Sequence, residues 1–140
     1  VHLDATNLAP FGDGAIDLIE CHHMIEHLSF RDTERALREW SRVVKSGGLL
    51  ILTFPDLAAI ARAYLKYSAL YRLLPRPARI DHLVSMLVGS QEHEGMFHRN
   101  AFDRGRITRL LGSHGFAVEF TYCRYPRRAT PSRLVIARRV

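Results

Sequence analysis

The run Leu49–Phe54 (LLILTF) constrains this chain most. A strand with one wet face alternates apolar and polar residues, whereas a strand apolar along its length must be covered on both faces, the condition of parallel strands in α/β domains. Pro55 closes the run, because proline cannot donate a hydrogen bond to a ladder. Upstream, Ser29 or Asp32 can cap a helix whose positive end also favours Asp32 and Glu34. Ala36, Leu37, Trp40, Val43 and Val44 recur at three- and four-residue spacing and give that helix one apolar stripe. Lys45 suits its last turn and Gly47 a left-handed cap, so the helix is expected to end near Ser46. Before it, Ala15–Cys21 follows the turn residues Gly12, Asp13 and Gly14 and reads as a buried strand. Strand, helix and strand with tight loops describe a right-handed parallel crossover. In such sheets ligands collect beyond the carboxyl ends of the strands. The polar residues from His22 to Leu28 therefore stand where chemistry is expected.

The rest of the chain continues the alternation. Val1–Leu3 reads as the tail of a strand, the start at Val1 as that of a fragment, and Asp4–Phe11 as a polar turn. Asp56 is expected to cap a helix with Leu57, Ile60, Ala61, Tyr64, Leu65 and Leu70 as its apolar residues, ending before Pro75 and Pro77. A shorter helix spans Ile80–Val88. Gly89–Arg99 (GSQEHEGMFHR) has neither helical nor alternating pattern and is rich in groups that bind or titrate, as functional loops are. Asn100 and Asp103 form a capping arrangement for a helix carrying Ile107, Leu110 and Leu111, which Gly115 stops. Phe116, Val118, Phe120 and Tyr122 then alternate with Ala117, Glu119, Thr121 and Cys123 as in a strand. After a basic turn containing Pro126 and Pro131, Leu134–Ala137 forms a last strand antiparallel to the one before it.

Length and composition exclude several classes. The 140 residues suit one domain, and the 47% apolar share with mixed charge is that of a soluble globular protein. No apolar run approaches the roughly 20 residues that span a bilayer. No signal peptide is evident, and Cys21 and Cys123 lack metal-type spacing, so they read as buried thiols in a reducing, cytoplasmic compartment. The formal charge of +6 is spread over the middle and C-terminal segments. It suits solvated faces, and it also admits an anionic partner such as nucleic acid.

DATNLAPFGDGAIDLIECHHMIEHL, REWSRVVKSGG, LLILTFPD and AFDRGRITRLLGSHGF, in that order, resemble the C-terminal two-thirds of a class I S-adenosylmethionine-dependent methyltransferase of the type 11 kind. The resemblance implies an α/β fold, a partial Rossmann-like sheet holding strands 4 to 7 of the seven-stranded order 3-2-1-4-5-7-6, the last strand antiparallel. Residues 1–140 would be the C-terminal part of a single domain, with 56–99 a helical and loop insertion facing the acceptor. It further implies S-adenosylmethionine as cofactor. Asp4 would accept the adenine amine, Ala5 would offer a backbone amide, Leu8 would flank the ring and His22 would approach the methionine part. Taken alone, Asp4 reads equally well as a turn acid. Asp17 is expected to close the loop before strand 4. The family's glycine-rich loop, which lets backbone approach the cofactor, is not in this sequence. The segment alone is accordingly expected to bind cofactor weakly and to be inactive, with activity residing in an intact parent.

His23-x-x-Glu26-His27 admits three readings. Zinc hydrolases with two histidines four apart need a third ligand and a long surrounding helix. Some methyltransferases of this fold hold a divalent metal with Glu-x-x-Glu-His at this place, where His23 here would favour a softer ion than magnesium. In many relatives the Glu-His pair is structural, and this reading, with no metal, is preferred. Methyl transfer is an in-line displacement in which the protein supplies position, and a base where the acceptor must lose a proton. His23, His27 and His98 are the candidates, with Gln91 and His93 beside the last in an acceptor-facing loop. The expected function is methyl transfer to a small-molecule acceptor. An RNA methyltransferase or a noncatalytic methyltransferase-like binding module are the alternatives.

Overall fold

The computed structural model describes residues 4–71, 77–124 and 131–140. The expected strand end at Val1–Leu3, the break at Pro75 and most of the basic turn around Pro126 lie outside the described residues. The element order is β1 (Ile16–His22), α1 (Phe30–Val43), β2 (Val44–Pro55), α2 (Leu57–Tyr71), α3 (Pro77–Val88), α4 (Arg104–Ser113), β3 (Phe116–Arg124) and β4 (Ser132–Arg139). The strands form one sheet in the order β1-β2-β4-β3. β1 and β2 are parallel, and β4 runs antiparallel to both β2 and β3. This is the 4-5-7-6 end of the expected order, with the last strand reversed as expected.

β2 is central because its sequence leaves no other place for it. Leu50, Leu52 and Phe54 are fully buried on one face, while Leu49, Ile51 and Thr53 are half-buried on the other. α1 lays Thr33, Ala36, Leu37, Trp40 and Val43 against this sheet, the stripe read from the sequence with Thr33 added and with Val44 passed to β2. Ser29 caps α1: its Oγ accepts from Asp32 N at 3.1 Å and donates to Asp32 Oδ2 at 2.7 Å. α4 closes the core with Ile107 and Leu111, and its cap is Asp103, which accepts from Arg106 N at 2.7 Å.

Several expectations are corrected. β1 is not a buried strand: only Cys21 is buried, since among the described residues β1 pairs on one side only and its outer positions meet solvent. α1 stops at Val43 rather than near Ser46, and Val44 already pairs with Ile16 in the sheet. Gly47 is left-handed at φ +79°, but it lies in the bulge between the Val44 and Leu49 pairings and caps nothing. Among the described side chains of α2, Ala59, Ile60 and Ala63 are buried, the latter two packed with Leu83 of α3, whereas Tyr64 and Leu65 are exposed; the Leu70 side chain lies outside the described residues. α3 begins at Pro77, ahead of Ile80, because proline fits the first helical turn, where no intrahelical donor is required. In β3 a register shift between Val118 and Phe120 exchanges the two faces. Phe120 and Tyr122 are therefore exposed, and Thr121 and Cys123 turn inward. Asp17 lies within β1 and pairs with Lys45 across the bulge.

Asp56 ties the end of β2 to two other elements. It is fully buried, accepts from Ala59 N at 2.7 Å to cap α2, and forms an ion pair with Arg133 of β4. Removing one member of such a buried pair strands the other. Asp56→Ala is expected to lower unfolding stability by about 3–5 kcal/mol in chemical denaturation, against less than about 1 kcal/mol for removing the exposed Asp32–Arg35 pair.

Candidate functional site

Two groups of residues meet near the carboxyl end of β1. The first is the Asp4–Phe11 turn, which α1 holds in place. Glu39 Oε2 accepts from Leu8 N at 2.8 Å, Trp40 Nε1 donates to Ala5 O at 3.0 Å, and Arg42 donates to the carbonyls of Leu8 and Phe11. Ala5 and Leu8 thereby face Ile16, Ile19, Glu20, Cys21, Met24 and Trp40 around a mainly apolar pocket of about 270 Å³. Asp4 is exposed, and its Oδ1 accepts from Thr6 N at 2.8 Å and Thr6 Oγ1 at 2.9 Å. These bonds hold its carboxyl below the usual carboxylate range. Asp4 thus closes its own turn, and its other oxygen is the one open to a ligand. Burial pushes the Cys21 thiol up to about 12, which makes it an inert wall of the pocket.

The second group is the turn after β1. His23 is left-handed at φ +48°, an unusual state for a residue with a side chain, and its N–H donates to Thr53 O at 2.9 Å. The chain then makes a 3-10 turn, Ile25–His27, anchored by the fully buried Ile25. Glu26 is 2% exposed. Its carbonyl accepts from Arg99 N and Asn100 N at 2.9 and 3.0 Å, which draws the 89–99 loop over the turn. Gly89 makes that fold-over possible: it is at φ +82°, and a Cβ there would stand 1.8 Å from Met96 O. Asn100 is buried and bonds Thr33 Oγ1 at 3.0 Å, so it locks the loop to α1 rather than capping α4.

The loop brings His98 to His27, with ring centroids 4.7 Å apart and edges to faces. His27 Nδ1 meets Phe97 O at 3.1 Å and His98 Nδ1 meets Met86 O at 2.9 Å. A carbonyl only accepts, so both Nδ1 atoms carry the proton and both Nε2 atoms are left as lone-pair donors. His23 Nδ1 donates to Glu26 Oε1 at 3.1 Å. That bond raises the His23 pKa, while burial lowers that of His98. The candidates His23, His27 and His98 are thus brought into one cluster. His22 is not: it is exposed, bonded to Thr53 Oγ1 at 3.1 Å and 3.5 Å from Glu20. Gln91 and His93 are exposed on the loop. Sequence reasoning missed Trp40, Glu39 and Met24 as parts of the first group. Glu39 and Arg42 at i, i+3 were the available signal, since such a pair presents one charged face to whatever packs there.

The chain is similar to known methyltransferases in part of its sequence and in its fold. Residues 1–52 match the family described as Methyltransferase domain. A SAM-dependent methyltransferase from Methanosarcina mazei superposes over 99% of this chain and 65% of its own, with a TM-score of 0.66 and 17% identity. The chain has the class I S-adenosylmethionine-dependent methyltransferase fold. The Burkholderia thailandensis 1,6-didemethyltoxoflavin-N1-methyltransferase, solved with 1,6-didemethyltoxoflavin and S-adenosylhomocysteine bound, also superposes, with a TM-score of 0.65 and 11% identity over 99% of this chain and 49% of its own. Among curated proteins, the demethylmenaquinone methyltransferase of Mycobacterium tuberculosis is 42% identical over 79 residues, 54% of this chain and 32% of its own length. The aligned part spans about a third of the curated relatives it matches. No helix among the described residues is long and apolar enough to cross a membrane.

Of the groups holding the first cluster, Glu39 titrates most informatively. Bonds from Arg42 and Leu8 hold its carboxyl down at about 2, against an ordinary value of 4.5. A folded-state value below the unfolded one favours the fold above the unfolded value, and that contribution disappears as pH falls through the folded one. Thermal melts of the protein between pH 5 and pH 2 are expected to show a progressive fall in Tm that is shallower in Glu39→Gln; parallel curves would contradict this role.

Proposed function

We propose that the protein carrying this chain transfers a methyl group from S-adenosylmethionine to a small-molecule acceptor, and that this chain supplies the adenine edge of the cofactor site together with the acceptor-facing wall. The observation that carries the reading is the coincidence of two independent features: the β1-β2-β4-β3 order with its reversed last strand, and the family match over the first 52 residues. The names of two similar proteins give 1,6-didemethyltoxoflavin and demethylmenaquinone, both of which present a ring system for methylation, and this favours an acceptor of that class over RNA.

The residues present fit one side of the cofactor. The apolar slot between Ala5, Leu8, Ile19 and Met24 suits the face of an adenine, and the free oxygen of Asp4 suits its exocyclic amine. Ala5 spends its carbonyl on Trp40 and keeps its amide available. His22, the last residue of β1, would approach the methionine part. S-Adenosylmethionine brings a sulfonium whose methyl is already activated, so the protein's task is alignment. His23, His27 and His98, with the 89–99 loop folded over the turn, would form the polar wall from which an acceptor is oriented and deprotonated where its chemistry requires.

Isothermal titration with S-adenosylhomocysteine tests the reading. The full-length protein is expected to bind it, and Ala5→Phe, which fills the slot, to weaken binding about tenfold or more at unchanged melting temperature. Unaltered affinity would contradict the assignment. Residues 1–140 alone, lacking a glycine-rich loop, are expected to bind it at least about tenfold more weakly than the full-length protein.

A further inference from the structure

We propose that Glu26, His27 and His98 form a binding site for a divalent transition-metal ion, zinc foremost. Each contributes one ligand atom, and these atoms all lie within 4.8 Å of one another. Donor atoms around a tetrahedral zinc are about 3.4 Å apart, so a small inward settling of the rings closes the set.

Three observations support a cation here rather than an ordinary buried cluster. Glu26 Oε2 is the buried side-chain oxygen that, among the described residues, has no hydrogen-bond partner. A carboxylate 2% exposed with one idle oxygen is costly to bury, and a bound cation offsets that cost. Both histidines use Nδ1 on backbone carbonyls, Phe97 O and Met86 O. This fixes the tautomer that leaves Nε2 free and orients the ring, which is the support that metal-ligating histidines receive in known sites. His23 holds Glu26 Oε1 at 3.1 Å, so the carboxylate is steered from the side that the metal does not need.

Two imidazoles and one carboxylate are a borderline donor set. They disfavour magnesium and calcium, which take oxygen ligands, and favour zinc, or iron and cobalt in the divalent state. Three protein ligands leave a coordination position open, as at catalytic rather than structural zinc sites. The open position would take water or an oxygen or nitrogen of a small ligand. His23 is then a positioning residue, acting through Glu26. The site stands on this geometry alone and does not depend on the methyl-transfer reading.

The test is metal binding by the full-length protein, stripped of metal with a chelator and titrated with zinc chloride. One equivalent is expected, and cobalt(II) in its place is expected to give a visible absorption band. Glu26→Gln and His98→Ala are each expected to weaken zinc binding about tenfold or more, while His82→Asn, on the exposed face of α3, leaves it unchanged. Absence of zinc binding by folded wild-type protein overturns the proposal, as does binding that persists in either variant. Should the variants not fold, X-ray absorption of the zinc-loaded wild type decides: two imidazoles with an oxygen ligand support the site, and any other ligand set overturns it.

Discussion

The structure depends on one central strand that needs cover on both faces. Because the Leu49–Phe54 run of β2 is almost wholly apolar, it needs a strand on each edge and cover on each face, and β1, β4, α1 and the fully buried Phe102 and Phe116 supply them. The parallel pairing with β1 matters most for function. It sets His22 opposite Thr53 and delivers both strands to the same end of the sheet, where one chain turns at His23 and the other at Asp56. Each turn is then made secure by a buried acid. Asp56 joins β2, α2 and β4 through Arg133, and Glu26 holds the 89–99 loop through its carbonyl.

Those two acids differ in a way that separates structure from chemistry. Asp56 is satisfied on both oxygens, by the Ala59 amide and the Arg133 guanidinium, and so serves the fold alone. Glu26 is satisfied on one, by His23, and its other oxygen is idle beside two histidines whose protons are already committed elsewhere. Natural proteins rarely leave a buried polar atom unpaired unless a function uses it. The left-handed His23 at the entrance to the same turn is a second departure from ordinary backbone chemistry in the same few residues.

Much of the fold was legible because it rests on periodicity and local chemistry. The α1 stripe, the Ser29 and Asp56 caps, the central strand and the reversed last strand all follow from patterns within a dozen residues. What escaped depends on pairing. The bulge at Glu119 is set by how β3 registers against β4, and it turns Phe120 and Tyr122 outward although their alternation is regular. The early end of α1 follows from Val44 being needed opposite Ile16. For the site, the chemistry of His23, Glu26 and His27 was visible in their spacing, but the burial of Glu26 and the arrival of His98 were not. That arrival requires Gly89, Asn100 and α3 to bring the loop back over the turn, a contact between residues 71 apart in sequence. The hydrogen bonds that set Leu8 against Glu39 are long-range in the same sense.

The central claim, that this chain forms the adenine edge and acceptor wall of a methyltransferase site, is tested most directly by a crystal structure of the full-length protein with S-adenosylhomocysteine. The account predicts the adenine in the slot between Ala5, Leu8 and Met24, with the homocysteine sulfur directed toward the end of β1 and the cluster of His23, His27 and His98. Cofactor bound away from this slot, or a slot filled by the protein's own side chains in the full-length structure, would contradict it.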